Sequence, residues 1–351
     1  MIISVVFMLS ACSFQPKVPY STDFDPIAEM SNSDGEIQDG RGRFREIFCA
    51  VMDEHGRDLS DYMPCDDALV AVGEEPAATG RPVYLGPTRG DYLIGVVPGF
   101  GWDCIEGWLD HENYGHRHIE KFGYESAYIP VEGLSGTSAN ARLINDFLED
   151  LPAEDDERPL ILMGYSKGAP DLLDFVVNYP DMARRVVAVV SLAGAVSGSP
   201  LALESTQDQA ELLTKVPKSD CDEGDGGGVN ALRPDVRKQW LADHRLPDHV
   251  KYYSLVTYPN PETRMSAALK SSYRKLSEMA DARNDSQVVF YDQVIPGSTL
   301  LAFANADHWA LAVPIGRQHK VTAATVINRN NYPREALFEA IVRYVEEDLA
   351  N

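Results

Sequence analysis

Residues 159–163 form an apolar, strand-like run that passes through Gly164-Tyr165-Ser166-Lys167-Gly168 into a helix-like segment over residues 169–178. A chain that leaves a strand and enters a helix in so few residues must turn sharply. The central serine then takes a strained backbone conformation, and small residues two before and two after it leave room for neighbouring segments. The start of the helix presents unpaired backbone N–H groups to whatever approaches the serine. A strand that feeds directly into a helix is also half of a βαβ unit, which points to a parallel sheet.

The rest of the chain repeats that rhythm. Strand-like segments lie at residues 68–72, 82–85, 92–97, 126–131, 186–192, 250–258 and 299–304. Helical patterns fall at 139–151 and 332–349, the latter with apolar positions at Leu337, Phe338, Ile341, Val342 and Val345. Residues 43–65 are amphipathic and broken at His55-Gly56, an N-terminal helical extension. The expected fold class is α/β: a mostly parallel sheet of about eight strands with helices on both faces. The apolar fraction of 44% is enough for one sizeable core. Residues 197–248 interrupt the alternation with polar, glycine-rich sequence and read as a cap insertion, so the main domain is expected over 43–351.

Gly-x-Ser-x-Gly in this strand-to-helix context resembles the nucleophile elbow of the α/β-hydrolase superfamily, in its esterase and lipase branch. The resemblance covers roughly residues 80–350 and implies that Ser166 is the nucleophile, with the backbone N–H of Lys167 in the oxyanion hole. Val97-Pro98-Gly99-Phe100-Gly101-Trp102 resembles the His-Gly segment of lipases, with proline in place of the histidine. By that resemblance Phe100 supplies the second oxyanion N–H, with Gly101 as the alternative. Ala306-Asp307-His308-Trp309 follows the last strand, where the superfamily carries its general base, which implies His308. For the acid, Asn284-Asp285-Ser286-Gln287-Val288 resembles the Asn-Asp-Gly-Leu-Val of bacterial lipases, whereas the segment from Asp292 to Ser298 resembles the acid loop of cutinases. Asp285 is favoured and Asp292 is the alternative acid. The implied chemistry is hydrolysis of a small-molecule ester or acyl substrate through an acyl-enzyme, without a cofactor. Thioester hydrolysis and acyl transfer use the same groups, and a non-catalytic binding protein on this fold is the rival from another class.

The N-terminus adds a location. Residues 1–9 are a short apolar run, too short to span a bilayer, and they lead into Leu9-Ser10-Ala11-Cys12. This resembles the lipobox of bacterial lipoproteins, which implies that residues 1–12 are a signal segment and that Cys12 carries the lipid anchor. Ser13 after it implies the outer membrane by the sorting rule of such proteins, and residues 13–42, rich in Ser, Asp, Gly and Pro, are expected to be a flexible tether. The expected location is the cell envelope, with membrane contact through the anchor only. Cys49, Cys65, Cys104 and Cys221 remain, an even set that suits two disulfides in an oxidising compartment with three possible pairings. Cys49 with Cys65 is the local pair; Cys104 with Cys221 would tie the 97–102 loop to the insertion.

A formal net charge of −23 repels nucleic acid, so no nucleic-acid partner is expected. His111, His116 and His118 match no metal-ligand spacing. Asp220, Asp222, Glu223 and Asp225 precede three glycines without the glutamate an EF-hand needs, and read as a flexible acidic loop. No metal site is expected.

Overall fold

A computed structural model describes residues 24–30, 36–106, 115–152, 155, 157–215, 221 and 223–350. Its strands are β1 (Gln38–Asp39), β2 (Leu69–Val70), β3 (Leu93–Val97), β4 (Glu125–Tyr128), β5 (Leu160–Tyr165), β6 (Val186–Leu192), β7 (Lys251–Thr257) and β8 (Thr299–Ala304). They form one eight-stranded sheet in the order β1-β8-β7-β6-β5-β3-β4. All neighbours on this path run parallel, and β2 adds to β8 antiparallel. β1 pairs at Thr299 and Leu300 and β2 at Phe303 and Ala304, so two short pieces together finish one edge of the sheet. Short edge strands of this kind limit the unpaired backbone offered to other chains.

The parallel core follows from the pattern of β5. All of its residues are buried, and successive side chains go to opposite faces. Leu160 and Leu162 pack with Ile144, Leu148, Leu172 and Phe175 from the helices Thr137–Glu149 and Gly168–Asn178. Ile161 and Met163 pack on the other face with Phe44, Phe48, Ile341 and Val345 from Arg41–Glu54 and Arg334–Leu349. Each such side chain contributes about 1.5–3 kcal/mol by leaving water, so this two-faced strand gives the turn at its end a rigid base.

Three expectations change. Residues 82–85 are not a strand. The carbonyls of Pro82, Tyr84 and Leu85 accept from the guanidinium groups of Arg43 and Arg343, so this segment finds its hydrogen-bond donors on helices. The expected tether 13–42 is packed where it is described: Met30 and Ile37 are buried with Phe290 and Phe303, Pro26–Met30 is helical, and β1 pairs in the sheet. The described part of the acidic glycine stretch is docked at Asp225, whose Oδ1 accepts from Gly136 N and Gly227 N, both at 2.8 Å. Asp220, Asp222, His111 and Cys12 lie outside the described residues. Disulfides join Cys49 to Cys65 and Cys104 to Cys221. Among the described residues no helix is long and apolar enough to cross a membrane.

Candidate active site

The turn after β5 has the geometry its glycines demand. Ser166 sits at φ +54°, in the left-handed region that costs a non-glycine residue about 1–2 kcal/mol. A Cβ on Gly164 would stand 2.5 Å from the backbone N of Ala169, and one on Gly168 would strike the carbonyls of Val97 and Pro98. Gly99 is equally constrained, because a Cβ there would lie 2.8 Å from that of Ser166. The strain is held by flanking hydrogen bonds, Ser166 N to Leu192 O and Ala195 N to Ser166 O, both 3.0 Å.

His308 reaches this serine from the turn that follows β8. Its Nε2 is 2.9 Å from Ser166 Oγ, and its Nδ1 is 2.7 Å from Asp285 Oδ2. The residue opens the short helix His308–Ala312, whose N-cap Asp307 accepts from Ala310 N at 2.8 Å and from Ser266 N at 2.8 Å. Burial raises the pKa of Asp307, and its role is to cap. Asp285 is fully buried and its two oxygens are saturated. Oδ1 accepts from the backbone N–H groups of Gln287 and Val288, and Oδ2 accepts from Thr257 Oγ1 and Gln293 Nε2 besides facing His308. The backbone N–H of His308 donates in turn to the Asp285 carbonyl at 3.0 Å.

The alternative acid is not in this group. Asp292 Oδ1 lies 3.7 Å from Lys238 Nζ, and its neighbour Gln293 is the residue that turns back to Asp285. Burial pushes the Asp292 pKa up to about 7, with Lys238 pulling it down. The candidate N–H groups of the 97–102 loop differ as well. The Gly101 N–H donates to Gly133 O at 3.1 Å and is therefore occupied. The N–H groups of Phe100 and Lys167 donate to no protein acceptor among the described residues. The Lys167 side chain is buried and pairs with Asp171, Nζ to Oδ1 at 2.8 Å, while burial pushes the Asp171 pKa up to about 6 against the pull of that lysine.

Three contributors were missed from the sequence. Tyr165, immediately before the serine, donates from its hydroxyl to the His308 carbonyl at 2.8 Å. Thr257, the last residue of β7, and Gln293 hold Asp285. None carries a motif; only the position of Tyr165 inside the pentapeptide was a signal. His116 and His118 part company: His116 Nδ1 meets Ser126 Oγ, and His118 Nε2 meets Glu339 Oε2 at 2.6 Å. Glu339 also accepts from His55 and Arg343, and the buried His118 Nδ1 has no hydrogen-bond partner among the described residues.

Ser166 and His308 open onto a cavity of about 590 Å³. Phe100, Trp102, Ile105, Trp309, Val313 and Ile315 line one part of it. Residues of the expected cap, among them Leu201, Leu213, Val229 and Leu232, line the other. Besides Ser166 and His308, its polar side chains among the described residues are hydroxyls and amides, chiefly Ser199, Thr206, Gln209 and Gln287. The size is that of a pocket for a small organic molecule.

A parallel sheet with a serine on the β5 elbow and a histidine after β8 defines an α/β-hydrolase. The chain is 38% identical to the metagenomic carboxyl esterase MGS0156, over 92% of this chain and 95% of that one, with a TM-score of 0.84. It belongs to that esterase family and is an esterase- or lipase-type hydrolase. A lipase of Bacillus licheniformis, BlEst2 in its mature form, shares the fold at 20% identity and a TM-score of 0.50, over 72% of this chain and 96% of that one. The Staphylococcus hyicus lipase does so at 12% and 0.50, over 78% and 100%. No protein-family model and no curated protein matches the chain.

Proposed function

We propose that the protein hydrolyses carboxylic esters through an acyl-enzyme on Ser166. The observation that carries this reading is the continuous path from Ser166 Oγ through His308 to Asp285, with both links inside hydrogen-bond distance. His308 Nε2 takes the serine proton as Oγ attacks the ester carbon. Phe100 N–H and Lys167 N–H receive the charge that develops on the carbonyl oxygen. Asp285 keeps the imidazole in the tautomer that presents a lone pair to the serine and stabilises the imidazolium that forms. His308 then protonates the leaving alcohol. Water repeats the sequence on the acyl-enzyme and releases the acid.

The pocket supports an uncharged, largely apolar ester. The chain has a formal net charge of −23, yet among the described residues no Asp, Glu, Lys or Arg lines the cavity. A charged acyl or alcohol group would lose its hydration there without a partner. The test is turnover of p-nitrophenyl esters of rising chain length, with a thioester and a succinyl monoester alongside, by wild type and Ser166→Ala, plus labelling by a fluorophosphonate. Turnover and labelling that both vanish in Ser166→Ala support the mechanism. A preference for the charged succinyl ester would overturn the substrate class.

We also propose that Cys12 is lipid-modified and tethers the enzyme to the bacterial envelope, at the outer membrane. The support is the apolar run that ends in Leu9-Ser10-Ala11-Cys12, followed by Ser13.

A further inference from the structure

The loop that carries the Phe100 N–H is not held by the sheet. β3 ends at Val97, and the chain then turns through Gly101 at φ +65° into the short helix Trp102–Glu106. What fixes it comes from the loop after β4. Gly101 N donates to Gly133 O at 3.1 Å, and Gly133 N donates back to Asp103 Oδ2 at 3.1 Å, while Asp103 Oδ1 accepts from Cys104 N at 3.0 Å. Gly133 thus joins the two ends of the turn on either side of Trp102. Nothing larger than glycine fits, since a Cβ there would lie 2.6 Å from Gly101 N and would strike the Asp103 carboxylate.

The clamp is itself braced by the insertion. The Cys104–Cys221 disulfide ties the same turn to the stretch that contains Asp225. Asp225 N donates to Ser135 Oγ at 2.9 Å, its carboxylate accepts from Gly136 N, and Gly228 N donates to Leu134 O at 3.0 Å. Gly133 to Gly136 are therefore sandwiched between the oxyanion turn and the acidic glycine stretch.

We propose that Asp103 and Gly133 are positioning residues that hold the Phe100 N–H at the oxyanion site. The Gly101 N–H is tied up on Gly133, which fixes the Phe100–Gly101 peptide, while the Trp102 N–H donates to Gly99 O at 3.3 Å and holds the Gly99–Phe100 peptide that carries the Phe100 N–H, leaving Phe100 N–H as the donor on the Ser166 side. Because the clamp acts through the loop and touches no substrate, its loss lowers transition-state stabilisation and leaves ground-state binding in the apolar cavity largely intact. This inference rests on the ester-hydrolase reading of Ser166.

The experiment compares wild type, Asp103→Ala, Asp103→Asn, Gly133→Ala and Ser166→Ala on p-nitrophenyl butyrate, with active sites titrated by a fluorophosphonate. An alkyl trifluoromethyl ketone, which forms a tetrahedral oxyanion on an activated serine, provides the second readout. Expected for Asp103→Ala and Gly133→Ala is a fall in kcat per titrated site of about 10- to 100-fold, as for a misplaced catalytic group, with KM within about threefold of wild type. The inhibition constant of the ketone rises by a similar factor. Asp103→Asn keeps the shape and one acceptor oxygen and falls between, so it decides the matter if either alanine variant does not fold. Wild-type kcat and ketone affinity in a folded Asp103→Asn and Asp103→Ala, whatever their melting temperatures, would overturn the inference. Turnover surviving in Ser166→Ala would instead overturn the reading beneath it.

Discussion

The Tyr165 hydroxyl donates a hydrogen bond to the backbone carbonyl of His308, 2.8 Å away, so the residue before Ser166 holds the residue whose imidazole faces Ser166 Oγ. The tyrosine is buried and its ring lies 5.2 Å from the imidazole. Tyr165→Phe keeps the ring and removes this restraint. A loss of about 1 kcal/mol of stability is expected for one buried hydrogen bond, together with a fall in kcat of about three- to tenfold from a less well-placed histidine. Thermal melts and steady-state kinetics on one preparation check both, and an unchanged kcat would make the contact purely structural.

Asp285 and Asp292 separate in two measurements. Asp285→Asn is expected to lower kcat by about 10³- to 10⁴-fold, as loss of a triad acid does, because His308 Nδ1 then faces an amide. Asp292→Asn is expected to keep most activity. The pH dependence of stability supplies the second readout. The folded-state pKa of Asp292 is raised from 3.8 to about 7, so between those values the folded chain holds a proton that the unfolded chain releases. Stability drawn from this group is therefore present below pH 3.8 and is lost as pH rises through about 7. Melting curves should show Asp292→Asn more stable than wild type at pH 8, with the gap closing towards pH 4. A gap that widens in acid would contradict the buried placement of the carboxyl.

Ser286 occupies φ +88°, fully buried, at the place where the similar lipase motif carries glycine. Ser286→Gly relieves a backbone conformation that disfavours any side chain. The backbone bonds from Ser286 N to Asn284 Oδ1 and from Gln287 N to Asp285 Oδ1 do not use the serine side chain. A gain of up to about 1 kcal/mol is expected, with kcat within about twofold of wild type. Denaturant titration measures it, and a loss of more than 1 kcal/mol would show that the serine hydroxyl matters to the packing of the acid loop.

The proposed anchor has a direct test. Mass spectrometry of protein extracted from the host membrane should find Cys12 as a lipid-modified N-terminus, and Cys12→Ser should move the enzyme into the soluble fraction with unchanged turnover. An unmodified Cys12 in membrane-extracted protein would end that proposal.

The elbow, the histidine and the sheet were legible because each is written in neighbouring residues. Gly164 to Gly168 is a local steric requirement, His308 follows directly on an apolar strand, and the alternation of strands with helices is periodic in the chain. Which carboxylate meets His308 was legible only as a preference for Asp285, since Asp285 and Asp292 sit in adjacent loops of similar character. It is decided where β7 ends, because Thr257 and Gln293 aim at one carboxylate and Lys238 stands beside the other. The same holds for the oxyanion turn. Resemblance prefers Phe100 to Gly101, and a physical reason appears only when Gly133, distant in the chain, takes the Gly101 N–H and leaves the Phe100 N–H open. The edge of the sheet follows suit, with Gln38 and Asp39 adding to β8 while the carbonyls of residues 82–85 turn to arginines on two helices. Hydrophobic period and turn sterics act within a few residues and leave a trace in the sequence. Competition among distant hydrogen-bond partners is resolved only once the chain has packed.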